Sequence, residues 1–289
     1  MSKVSIRFYK DHQVRAVWDE ERNQWFFSAV DVVAAVTESA NARKYWSVLK
    51  TRLKKANREL TTRCSQLKMM AADGKKYATD CFAQEDIAEL VKHIPSKRTM
   101  AFLDWFTYSD NTIDGQSRKK AYTLWESDLV ADKDVGKMKA LQQIHAYLFG
   151  GLYDFAGKIR TKTIAKGNTL FCLAEHLHQN LKNIEQMPET TFDEIVDKYV
   201  EMNVAHPFME GNGRSTRIWL DLIFKKRLKM CVDWSRIDKR EYLDAMVASH
   251  LDSTKIRELL KQAMTDRIGD REIFMKGIDY SYYYEQEES

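Results

Sequence analysis

Long apolar runs are missing from this 289-residue chain. None approaches the ~20 residues that a membrane-spanning helix needs. The opening Met1-Ser-Lys-Val lacks the apolar core of a secretory signal. Cysteines are few and scattered: Cys64, Cys81, Cys172 and Cys231 form no CxxC pair. That argues against a disulfide framework or a zinc–thiolate site, and for a reducing, cytoplasmic setting without a membrane partner. Internal repeats and low-complexity tracts are also lacking. A net charge of +4 is too small to select a partner by itself. What remains is an ordinary globular composition, 44% hydrophobic and 30% charged, on a length that suits two modest domains.

The first hundred or so residues mix short strand patterns with helical ones. Val4 to Tyr9, Val14 to Trp18 and Gln24 to Phe27 are rich in β-branched and aromatic residues and separated by polar turns. Ser28 opens a helix, another covers Arg43 to Ala56, and Met69 to Tyr77 turns at Asp73-Gly74 as a hairpin. Helices resume at Gln84 to His93 and at Lys97 to Trp105, interrupted at Pro95. The polar stretch Ser109 to Ser117 reads as turns, so the domain boundary is expected there, giving domains 1–110 and 111–289. The second half is mainly helical: Lys137 to Phe149, Phe171 to Ile184, Phe192 to Val204, Thr216 to Arg227, Arg240 to Ser249 and Thr254 to Arg267. Between Arg160 and Phe171 a β-like hairpin turns at Lys166-Gly-Asn. The expected fold is therefore multidomain, an α+β unit followed by a mainly α-helical one with a β-hairpin flap.

One loop gathers the chemistry: His206-Pro-Phe-Met-Glu-Gly-Asn-Gly-Arg-Ser-Thr-Arg217. Pro207 biases His206 away from helical dihedrals, so the helix before it should end there. Gly211, Asn212 and Gly213 tolerate unusual backbone angles and can turn several N–H groups inward as an anion nest at a helix N-terminus. Arg214 and Arg217, three apart, present guanidinium forks suited to a di- or triphosphate. Glu210 is a hard oxygen ligand of the kind Mg²⁺ takes alongside substrate phosphates. His206, with an ordinary pKa of about 6.5, can accept a hydroxyl proton near neutrality. Base, metal ligand, nest and clamp in twelve contiguous residues describe a phosphoryl- or nucleotidyl-transfer site. A zinc hydrolase finds less support, since His176 and His178 are two apart on a helix and share no face.

The loop resembles the Fic family pattern HPFx[D/E]GNGRxxR at every defined position, and the resemblance extends over about Lys119 to Glu285. It implies a protein adenylyltransferase: His206 deprotonates a Ser, Thr or Tyr hydroxyl of a target protein, which attacks the α-phosphate of ATP and releases pyrophosphate. It further implies that Glu210 holds Mg²⁺, that the nest and Arg214 hold the α/β phosphates, that Arg217 grips the γ-phosphate, and that Phe208 anchors the loop. Lys162, Thr163 and Ile164 would form a flap that aligns the target by strand addition, with Lys166 at its tip reaching the nucleotide. The C-terminal stretch Asp279 to Ser289 resembles the family's inhibitory motif [S/T]xxxE[G/N], with Ser281 and Glu285 in register and Gln286 standing where Gly or Asn is usual. Glu285 would then pair with Arg217, restrain transfer from ATP, and serve removal of AMP from a modified target.

Arg43, Lys44, Lys50, Arg52, Lys54 and Lys55 form a basic helix interleaved with Tyr45 and Trp46, an electrostatic footprint for nucleic acid. Residues 3 to 106 resemble the Bro-N domain of phage antirepressor-type proteins, which implies DNA as a further partner. Two alternatives stay open: a DNA-binding regulator of phage or toxin type whose Fic module senses nucleotide, and a Fic enzyme with another nucleotide donor. The sequence leaves open the target protein, its modified hydroxyl, and whether the chain forms a homo-oligomer.

Overall fold

The computed structural model describes residues 3–286, apart from 57, 72, 128–133 and 168, and divides into two compact units, the first running to Thr112 and the second starting at Ile113.

The N-terminal unit is built on a five-stranded antiparallel sheet. In chain order it comprises β1 (Val4–Tyr9), β2 (His12–Asp19), β3 (Gln24–Ser28), α1 (Ala29–Thr37), α2 (Ala42–Ala56), α3 (Arg58–Thr62), β4 (Ser65–Met70), β5 (Lys76–Ala83), α4 (Gln84–Lys92) and α5 (Thr99–Tyr108). The strand order is β1-β2-β3-β5-β4. Alternation along the strands sorts the side chains. Val14, Ala16, Phe27 and Phe82 enter the main core with α1, α2, α4 and α5, while Val17, Phe26, Cys81 and Ala83 form a smaller cluster. Ser28 caps α1, its Oγ accepting from the Asp31 N–H at 3.3 Å. The hairpin turns at Gly74, where φ is +76°, and its strands run longer than the sequence pattern indicates.

The C-terminal unit is mainly helical. It comprises α6 (Ile113–Thr123), α7 (Met138–Phe149), β6 (Ala165–Lys166), β7 (Thr169–Leu170), α8 (Ala174–Gln186), α9 (Phe192–Ala205), α10 (Asn212–Leu228), β8 (Cys231–Val232), α11 (Lys239–Ala248), α12 (Thr254–Ala263), β9 (Met264–Thr265) and α13 (Arg271–Tyr283). Its centre is α10, buried from Arg214 through Leu220 and again at Ile223 and Phe224, and packed by α7, α9 and α13.

Two sequence expectations need correcting here. The polar stretch read as turns is helical from Ile113 onward. Gly115, Ser117 and Ala121 are its buried residues, and such small side chains let α6 pack against α7 and α13 without the apolar stripe that would have announced it. Likewise α10 begins at Asn212 rather than Thr216, so most of the glycine-rich segment is already helix. The flap hairpin is short, with two-residue strands. Gly167 takes φ +57° at its turn, and Asn168 lies outside the described residues.

Candidate active site

The geometry starts with α9. A reciprocal capping box fixes its N-terminus: the Glu194 N–H donates to Thr191 Oγ1 at 3.3 Å and the Thr191 N–H to Glu194 Oε2 at 2.9 Å. The helix stops at Ala205, and His206 caps it in the left-handed region (φ 48°, ψ 64°), its N–H donating to Met202 O at 3.0 Å. Few non-glycine residues adopt that conformation, so His206 is held there by its surroundings. Its ring stacks on Phe171 at 3.6 Å with the planes 12° apart. Nδ1 lies 3.1 Å from Asn203 O. A carbonyl can only accept, so a neutral ring carries its proton on Nδ1 and keeps the Nε2 lone pair for a substrate proton. Burial holds the pKa down to about 4, which keeps the imidazole neutral across the physiological range.

The loop that follows is closed by its own side chains. Asn212 Oδ1 accepts from the Phe208 N–H and Nδ2 donates to Phe208 O, both at 2.8 Å. The Asn212 side chain is therefore engaged within the loop, which leaves its backbone N–H for the role in the anion nest that the sequence suggests. Phe208 is fully buried and stacks on His145 at 3.8 Å. His145 accepts the Gly157 N–H on Nδ1 and so donates from Nε2 to Glu210 O, each at 2.9 Å. Gly211 has φ +78°, and a Cβ there would meet the Phe149 ring at 2.5 Å. Conformation and close approach both demand glycine. Gly213 is helical, and its constraint is contact alone: a Cβ would lie 2.2 Å from Glu285 Oε1.

Two buried arginines leave α10 in different directions. Arg214 pairs with Asp114 of α6 and, at 2.8 Å, with Glu210 Oε1, while its guanidinium sits 5.0 Å from the Phe149 ring and 5.6 Å from that of Tyr282. Its Nε is buried without a hydrogen-bond partner among the described residues. Arg217 Nε donates to Ser281 Oγ at 2.8 Å, and NH2 donates to Ser281 O at 2.7 Å and to Glu285 Oε1 at 2.5 Å. The rings of Tyr242 and Tyr284 flank it, each 5.5 Å away. Burial alone would push the Glu285 carboxyl up, yet Arg217 holds it down at about 2. The chain end that carries it is tied in place. Tyr284 OH donates to Trp234 O and Ile237 O at 2.9 and 3.0 Å, and Lys239 Nζ to Gln286 O at 2.7 Å. Residues 287–289 lie outside the described residues.

The remaining candidates divide. Lys166 Nζ is 3.7 Å from Glu285 Oε2. The Thr163 hydroxyl accepts the Ala174 N–H at 3.1 Å, Ile164 O accepts the Phe171 N–H at 3.3 Å, and the Lys162 side chain is exposed. Glu210 keeps 56% of its side chain exposed. Its Oε1 takes the bonds from Arg214 and the Gly211 N–H, while Oε2 makes none among the described residues, which suits a hard cation held together with substrate phosphates. On α2, Arg43, Lys44, Arg52, Lys54 and Lys55 are exposed, but Lys50 is bound to Asp80 at 2.7 Å. The aromatic interleaving there is a core feature: Trp46 is buried and donates to Asp80 Oδ2 at 2.8 Å, and Tyr45 packs against the core.

Sequence reasoning missed Asp114, His145, Arg160 and Tyr242 as members of this neighbourhood. His145 had a signal, as a polar residue between Ile144 and Leu148 on the apolar stripe of α7. Asp114 had none, because the start of its helix reads as turns.

Residues 137–224 match the family model described as the Fic/DOC family. Among curated proteins, the chain is 27% identical over 168 residues to Protein adenylyltransferase VbhT of Bartonella schoenbuchensis, covering 53% of this chain and 34% of that protein. It is 28% identical over 130 residues to Probable protein adenylyltransferase y4lH of Sinorhizobium fredii, covering 41% and 66%. The chain thus spans about a third of the first relative and just under two thirds of the second. A solved structure of BepC from Bartonella tribocorum with bound AMPPNP is 18% identical, with a TM-score of 0.45, over 53% of this chain and 84% of that one.

Proposed function

We propose that the C-terminal unit, a mainly helical Fic domain, is a protein adenylyltransferase restrained by its own C-terminal helix. The observation that carries the reading is the pairing of His206, neutral with Nε2 unbonded among the described residues, with the N-terminus of α10, which follows the left-handed Gly211 and carries the buried Arg214 and Arg217. In this reading Nε2 of His206 takes the proton of a target hydroxyl. The freed oxygen attacks the α-phosphorus of ATP, the bond to the β-phosphate oxygen breaks, and pyrophosphate leaves with the electron pair. Backbone N–H groups at the start of α10 and Arg214 receive the phosphates. Glu210 would hold Mg²⁺, which when bound neutralises phosphate charge. The exposed edge of the flap would take up the target backbone by strand addition.

Glu285 acts as the restraint: it occupies the Arg217 fork that a γ-phosphate would otherwise claim, and it lies against Gly213 where the nest opens. Freed to hold a water, the same carboxylate would serve removal of AMP. The experiment is to incubate the Glu285→Gly variant with ATP labelled at the α-phosphate and a cell lysate, then identify the labelled protein. Label on protein that exceeds the wild-type level supports the reading; equal, background labelling by both proteins defeats it.

For the N-terminal unit, the exposed Arg43, Lys44, Arg52, Lys54 and Lys55 on α2 favour nucleic acid as a second partner, in line with the Bro-N resemblance. The corresponding domain division places nucleic-acid contact in residues 1–110 and transfer chemistry in 111–289.

A further inference from the structure

Arg160 sits just before the flap, and only 3% of it is exposed. No carboxylate meets its charge among the described residues. Instead the guanidinium binds four backbone carbonyls: Nε donates to His206 O at 2.7 Å, NH1 to Lys162 O at 2.6 Å, and NH2 to Cys172 O at 2.5 Å and Ala205 O at 3.0 Å. Its own N–H donates to Pro207 O at 2.9 Å. These partners have a pattern. Lys162 and Cys172 are the two stems of the flap, one on each side of the hairpin. Ala205, His206 and Pro207 are the helix end, the base and the residue after it. One planar side chain therefore ties both flap stems to the peptide units around His206. The Cys172 N–H adds a second tie, to Val204 O at 3.1 Å, and Phe171 covers the imidazole ring.

Burying a cation without a counter-ion is expensive, and a fold retains one where nothing cheaper supplies the geometry. Here the geometry is the left-handed backbone of His206, a strained conformation that persists only when its surroundings over-determine it. The carbonyls of Ala205 and His206 both accept from this one guanidinium, on either side of the left-handed residue's N–Cα bond. Lysine has one donor nitrogen and cannot span the four acceptors, which belong to three separated segments.

We propose that Arg160 is a positioning residue for the transfer reaction, holding His206 in its reactive backbone conformation and linking that conformation to the flap on which the target protein docks. The inference rests on the adenylyltransferase reading for its catalytic consequence, but not for its structural one. Arg160 also contributes charge. Burial does most to lower the His206 pKa; of the groups that face the ring, the Asn203 carbonyl and Glu285 from the C-terminal segment favour the imidazolium, while Arg160 and, from the flap, Lys166 disfavour it. Placement and charge can be separated by substitution. Arg160→Lys keeps the charge and loses the four-way fork, whereas Arg160→Met keeps the stem and loses both.

The experiment uses the full chain in the Glu285→Gly background. With ATP and the labelled target, both variants should lose about a hundredfold in kcat, as expected for a misplaced reacting group, while the KM for ATP stays within about threefold. A variant that melts like its parent and keeps kcat overturns the proposal, as does a loss carried wholly by KM. In parallel, the His206 imidazole is titrated by NMR without nucleotide. In the chain that keeps Glu285, Arg160→Met should raise the His206 pKa from about 4 toward the ordinary value, and Arg160→Lys should raise it less. Equal titration in the two variants and the parent overturns the electrostatic part. If Glu285→Gly transfers no AMP at all, the functional reading fails while the titration still decides the role of Arg160.

Discussion

Replacing Glu285 by Gln removes one charge and leaves the shape, and it should make the protein less stable and more active together. The folded carboxyl titrates at about 2 against an ordinary 4.5, because the Arg217 guanidinium outweighs the cost of burial. That difference corresponds to at most about 3 kcal/mol at neutral pH, trimmed by solvent screening because 17% of the side chain remains exposed. For a unit of this size, each kcal/mol lowers Tm by about 2–4 °C, so a fall of about 5–10 °C at pH 7 is expected. A depressed carboxylate contributes fully above its unfolded pKa, and the contribution is lost as pH falls through its folded pKa. The gap between parent and variant should therefore be constant from pH 8 to 5 and narrow from about 4.5 toward 2. Thermal melts across that range, run beside an AMP-transfer assay at pH 7, read both effects. A variant that is less stable without gaining activity would make the pair structural. One that matches the parent in both would refute the reasoning.

Other outcomes follow from the same geometry. In the Glu285→Gly protein, the acid limb of the transfer rate should fall below pH 5 rather than at the ordinary histidine value near 6.5, because burial and the cations around His206 keep the ring neutral; a limb centred at 6.5 would mean that the ring is solvated. Gly211→Ala should destabilise by about 2–4 kcal/mol in chemical denaturation, combining a left-handed alanine with a Cβ 2.5 Å from Phe149, and a loss under about 1 kcal/mol would refute that contact. Should α2 bind DNA, affinity must fall steeply with salt, and substituting Arg52, Lys54 and Lys55 together should lower the slope of log affinity against log salt by about 2–3; a flat salt response points to a protein partner.

Strand and helix periodicity made much of the secondary structure legible in advance, because elements such as β1, α2, α7 and α9 place apolar residues at regular spacing against a core. The failures share a cause. α6 packs through Gly115, Ser117 and Ala121, which carry little hydrophobic signal, and its Asp114 reaches Arg214 across 100 residues of chain. Arg160 acts through backbone carbonyls, which no side-chain motif announces. The contiguous loop was readable because its parts adjoin in sequence, though Asn212 turned inward to brace Phe208. Lys50 and Trp46 looked like part of a nucleic-acid surface and are instead tied to Asp80.

The central claim is that His206 directs a target hydroxyl to the α-phosphate of ATP. It is tested most directly by giving the Glu285→Gly protein, and the same protein with His206→Ala, ATP labelled at either the α- or the γ-phosphate together with the identified target. Label on the target from α-labelled ATP only, lost with His206→Ala, is the predicted result. Label arriving from the γ-phosphate, or persisting without His206, would contradict it.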